Sequence, residues 1–169
     1  MILDIQAIEH VFDPWKQMYS DSVPLSTAVT AAHLLAMLFG GGFAIAADRT
    51  TLLLRRENLE QRRQHLIDLN AVHRPVLIAL TFSFITGMAM LTSDIATFVA
   101  SPALWVKLSL VVLLLINGVI LNRTESALRG SAGGEGSESL WSRLKFNAVS
   151  SLVLWSATLV AGITLVNVA

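Results

Sequence analysis

Four apolar stretches, Leu25 to Ala47, Pro75 to Ala96, Pro102 to Leu121 and Phe146 to Val168, constrain this chain more than any other feature. Each holds the roughly 20 residues that a helix needs to cross a hydrocarbon core. In lipid only a helix or a closed barrel satisfies its own backbone, and stretches of this length fit the helix. Hydrophobic residues make up 54% of the chain and charged residues 14%, whereas roughly a quarter of a soluble globule is charged. The expected fold class is therefore all-α: a polytopic membrane protein built as a four-helix transmembrane bundle, with residues 1–169 as a single membrane domain.

Basic residues set the expected orientation. Arg49, Arg55, Arg56, Arg62, Arg63 and Arg74 fall between the first two spans, and Arg123, Arg129, Arg143 and Lys145 between the last two. The positive-inside rule places both loops, about 48–74 and 122–145, in the cytoplasm. The connection from Asp94 to Pro102 has no basic residue, and the N-terminal segment has Lys16 against several acids. Both termini are thus expected outside, which in a bacterial inner membrane means the periplasm.

Met1 to Ser22 lacks the pattern of a cleaved signal peptide and is expected to be retained. Its Ile2, Ile5, Ile8, Phe12, Trp15 and Met18 recur at helical spacing, with Asp4, Glu9 and Asp13 on the other face. Such a helix lies either in the membrane interface or on the protein's own outer face. In the first cytoplasmic loop, Leu52, Leu59, Leu66 and Leu69 recur among Arg, Glu and Gln, which predicts a helix over Thr51 to Leu69, partly continuing span one and partly at the membrane surface. Gly130 to Ser139 is rich in Gly and Ser and reads as a flexible loop.

The chain has no cysteine, which excludes disulfides, Cys-ligated zinc, iron–sulfur clusters and thiol catalysis. Ionisable groups within a bilayer are costly, so His33 in span one and Lys107 in span three are the leading candidates for chemistry. Counted from the outside, they lie roughly 12 Å and 8 Å deep by helical rise, within reach of one layer. Span three is expected to be lipid-exposed except where Lys107 and Asn117 point inward. Lys107 has an alternative use, reaching toward head groups with Asp94 as partner.

His73 is expected at the cytoplasmic start of span two, about 20 Å along the axis from His33, where Pro75 suits the first helical turn. His10 and His65 are expected to be solvated. Met37 follows His33 by one turn, and Met88 and Met90 lie toward the outer end of span two. His with Met suits either an axial haem position or a soft cation such as Cu(I). Gly40, Gly41 and Gly42 leave a strip without side chains for a flat macrocycle or, more commonly, a neighbouring helix. There is no hydrolase constellation, no HExxH motif and no expected pair of intramembrane carboxylates.

Three pieces of this sequence resemble the HemJ-type family of haem-binding membrane protoporphyrinogen oxidases and the related membrane domain of CopD-type copper-resistance proteins. They are Ala32-His33-Leu34 through Gly40-Gly41-Gly42, Arg74-Pro75 with the later Gly87, and Trp105-Val106-Lys107-Leu108. The resemblance implies a haem b site with His33 as axial ligand and Lys107 tied to activity. The chain departs from it at Asn117, where that family often has histidine.

The leading expectation is a membrane b-type haem protein in electron transfer or in oxidation of a porphyrin- or quinone-like substrate. His33 would be the metal ligand, with Met37, Met88 or Met90 in the second axial position, and Gly41 and Arg74 would line the cofactor. A copper-handling protein that binds copper through His33 and the methionines is one alternative. A cofactor-free accessory subunit of a larger membrane complex, docking its Leu-lined basic helix on a partner or on anionic lipid, is another. The lipid bilayer is the expected partner, with a redox partner or self-association open and no nucleic acid.

Overall fold

The computed structural model describes residues 5–54, 59–130 and 137–168. Six helices account for nearly all of them: α1 (Ile5–Asp21), α2 (Val23–Leu53), α3 (Leu59–Leu91), α4 (Ile95–Ala100), α5 (Pro102–Gly130) and α6 (Ser137–Val168), with no strand among the described residues. Local chemistry marks the starts. Ser22 caps α2 by accepting a bond from the Leu25 amide, Asp94 caps α4 through the Thr97 amide, and Pro102 opens α5 with the φ that a first turn requires. The helices α2, α3, α5 and α6 are each long and apolar enough to cross a membrane.

These four helices run to 31, 33, 29 and 32 residues. At helical rise that is about 45 Å each, well beyond a hydrocarbon core of about 30 Å. The surplus lies at one end, which carries the arginines and is called the basic end below; α1 and α4 lie at the other. Residues 48–53, 59–74, 122–130 and 137–145 are therefore helical extensions of the bundle. The helix expected over Thr51 to Leu69 is divided: Thr51 belongs to the last turn of α2, and α3 runs from Leu59 straight into span two. Pro75, expected in a first turn, sits inside α3.

Burial explains the correction. Leu66 and Leu69 pack with Leu128, Trp141 and Leu144 in an apolar core at the basic end, so the leucine face meets the protein's own helices. Arg62 is buried with them, its guanidinium 4.8 Å from the Trp141 ring and 2.8 Å from Glu138. Arg62 thus makes a cation–π contact and an ion pair where a surface charge was expected. Most of the Gly- and Ser-rich segment lies outside the described residues, but Ser137, Glu138 and Ser139 are helical.

The rest of the bundle is inverted relative to a soluble protein. Over all the described residues, the basic-end core included, fourteen buried side chains are polar or charged and eleven are apolar, while Leu38, Phe39, Ile78, Phe84, Val153 and Val160 are exposed. An apolar exterior around a polar interior suits a lipid solvent, in which polar contacts between helices count. Helix α2 packs along α3, α5 along α6, and the two hairpins join through α2 and α6, whereas α3 and α5 barely touch.

A Cβ added at Gly40 would meet Ala79 at 3.0 Å and the Trp155 ring at 3.5 Å, and one at Gly41 would meet that ring at 3.2 Å. The strip in α2 therefore receives a side chain from α6. At the opposite end, α1 folds back onto the bundle. The Trp15 indole donates to the Ala89 carbonyl at 2.8 Å, and the Tyr19 hydroxyl lies 3.4 Å from that of Thr30. The helix thus makes contact with the end of the bundle opposite the arginines. The side chains of Ile2, Ile5 and Ile8 lie outside the described residues.

Candidate functional site

His33 is buried in α2, and its ring lies over Gly87 of α3, where an added Cβ would come within 3.2 Å of the imidazole. Its Nδ1 is 2.9 Å from the Ser83 carbonyl oxygen and 3.1 Å from the Thr86 hydroxyl oxygen. A carbonyl only accepts, so Nδ1 carries the proton. The Thr86 hydroxyl donates to the carbonyls of Phe82 and Ser83, which turns its lone pair toward the same N–H. Nε2 takes no part in these bonds and is left as the ring's basic nitrogen. A ring held through one nitrogen by a carbonyl is how a metal-binding histidine is oriented.

Lys107 of α5 is half-buried, and its ammonium lies over Gly162 of α6, 3.4 Å from where a Cβ would stand. Among the described residues no hydrogen bond or ion pair engages it, and Asp94 instead caps α4. Lys107 lies near enough to His33 for its charge to be felt at the imidazole, with no direct contact between them among the described residues. Asn117 also points inward, donating to the Asn147 carbonyl at 3.1 Å.

The remaining candidates separate. Met90 lies on the stripe of α3 that carries Ser83, Thr86 and Gly87, seven, four and three residues on. Met88 faces outward at 41% exposure. Met37, one turn beyond His33, is partly buried. Gly41 is packed on Trp155 as described above, and Arg74 is exposed at the basic end.

Sequence reasoning missed a second polar group at that basic end. Asp48 and Glu125, expected in loops, are 2% and 0% exposed. Glu125 accepts from Arg129 at 3.1 Å and lies 3.4 Å from His73, while Asp48 is hydrogen-bonded by Ser151. His73 is thus mid-helix against a carboxylate and is not the polar start of a helix. His65, expected in solvent, is buried with Nε2 2.7 Å from the Thr51 hydroxyl. His10 does remain exposed, paired with Asp13.

Periodicity held the missing signal. Glu125 follows Lys107 by eighteen residues, five turns of 3.6, and so shares its face. Asp48 continues the buried stripe of His33, Ala36, Gly40 and Gly41. No three His, Asp or Glu residues among those described converge as a metal site.

The fold and interior define an integral membrane four-helix bundle with two buried polar layers. Comparison with protein-family models, curated proteins and solved structures finds no match for the chain.

Proposed function

We propose that this chain is a membrane b-type haem protein that transfers electrons or oxidises a porphyrin- or quinone-like substrate. The observation that carries the reading is the held ring of His33: with Nδ1–H fixed on the Ser83 carbonyl, Nε2 is the nitrogen available to iron. The sparse contact between α3 and α5 favours a flat macrocycle entering from the side over a compact ion. Met37 and Met90, both partly buried, would be the thioethers available to the cofactor, whereas the outward Met88 would not. Lys107 supplies a cation for a propionate or for a substrate carboxylate, within the layer of His33. Bound haem would supply the one-electron chemistry, and the chain's own groups hold, orient and charge-balance it.

The resemblance to HemJ-type and CopD-type proteins supports the same assignment of His33 and Lys107. A visible spectrum with metal analysis on one detergent preparation tests it. A Soret band with stoichiometric iron is the expected result. Stoichiometric copper without porphyrin would replace the reading by the copper-handling one, and a colourless, metal-free preparation would overturn both.

The arginines at one end favour the cytoplasm for that end. A reporter fused after Ala169 is expected to be exported from a bacterial inner membrane and one inserted at Gly134 to stay inside. Activity in the reverse pattern would invert the orientation.

A further inference from the structure

Among the described residues, the buried group at the basic end contains more negative charge than its partners balance. Asp48 and Glu125 are close enough for their charges to interact, and both are sealed from solvent. Arg129 is the cation bonded to Glu125, through Oε2, and His73 Nε2 faces that same oxygen. The other oxygens, Glu125 Oε1 and Asp48 Oδ2, are buried with no donor. Asn147, 6% exposed and one turn before Ser151 on α6, carries a buried Nδ2 with no acceptor. Its amide brings a dipole but no charge.

Other ionisable groups on the surrounding helices are engaged or turned away. On α2, Arg49 is exposed; on α3, Arg74 is exposed and His65 is bonded to Thr51. On α5, Arg123 is exposed, and on α6 Arg143 is exposed while Lys145 donates to the Leu54 carbonyl. Among the described residues, two carboxylates and one guanidinium therefore leave one negative charge without a cation beside it in the interior, which is costly.

A proton removes that charge, and its place can be argued. On His73 it would add a second donor to Oε2, already held by Arg129, and leave Oε1 and Asp48 Oδ2 as they are. On either carboxyl it converts an oxygen without a donor into a donor itself. We infer that Asp48 and Glu125 form a buried proton-binding site in which one of the two carboxyls holds a proton in neutral solution, exchanged with the aqueous phase at the basic end past the partly exposed side chains of His73 and Arg129. The proton comes from water, resides as a neutral carboxyl, and returns to water when released. The site stands independently of the haem reading.

Infrared spectra of the purified full chain in neutral buffer test this through the carbonyl stretch of a protonated carboxyl, which shifts in heavy water. The wild-type protein is expected to show the band, and Asp48→Asn or Glu125→Gln to lose it. Absence of the band from the wild type overturns the inference, as does its survival unchanged in both variants. If either variant loses its helical circular dichroism, Asp48→Glu keeps the carboxyl and lengthens its arm. A shifted band is then expected, and an unmoved one in Asp48→Glu together with an unmoved one in the surviving variant overturns the site.

Discussion

His33→Ala is expected to remove haem from the purified protein, with loss of the Soret band at equal recovery of monodisperse material. Lys107→Ala should keep the band and weaken haem retention or turnover. The difference follows from bonding: an axial imidazole sets the iron's ligand field, whereas an ammonium acts through charge and hydrogen bonds. Thr86→Val, which deletes one acceptor from the Nδ1 proton and leaves the Ser83 carbonyl in place, should weaken haem affinity roughly 10-fold, the lower end for a group that orients a ligand. An unaltered spectrum at full haem content in His33→Ala would move the ligand role to another histidine, His73 first.

Trp155→Ala should cause the largest loss of stability in the transmembrane part of the bundle. The indole fills the groove over Gly40 and Gly41, and it is the main side chain that closes α6 on α2 there. Truncating a buried Trp costs about 3–5 kcal/mol in proteins. The lower end applies here, because lipid is as apolar as the groove and the loss is mainly of packing. A detergent thermal-unfolding midpoint unchanged from wild type would mean that α2 and α6 are held together elsewhere.

The four crossings were legible because runs of about 20 apolar residues have few other uses. His33, Lys107 and Asn117 were legible as inward groups because a polar residue in such a run must find a polar surrounding. Hydropathy loses its force where charge begins: the spans are bounded at Ala47 and Leu121, and although a helix over Thr51 to Leu69 is expected to continue span one in part, no extension is expected beyond Leu121. In the structure α2 continues to Leu53 and α5 to Gly130. Asp48 and Glu125 lie in those continuations, so they passed for loop residues. His65, among arginines, passed for a solvated residue, and His73 for the polar start of a helix. Helical period alone would have put Glu125 on the face of Lys107 and Asp48 on the stripe of His33, whereas the burial of His65 and His73 depends on how the helical ends pack on one another, which no local pattern encodes.

The core formed by Leu66, Leu69, Leu128, Trp141 and Leu144 lies on the overhanging part of the bundle. Water surrounds that part, so apolar burial is driven there by the hydrophobic effect, a force that vanishes between helices within lipid. The molecule is consequently fastened like a peg, by a clasp at its basic end, while the His33 layer relies on closer fit and a few polar bonds. If a flat guest enters between α3 and α5, as the haem reading requires, their spreading would be cheapest far from the clasp, and the same clasp would keep the two hairpins from drifting apart in the plane of the membrane.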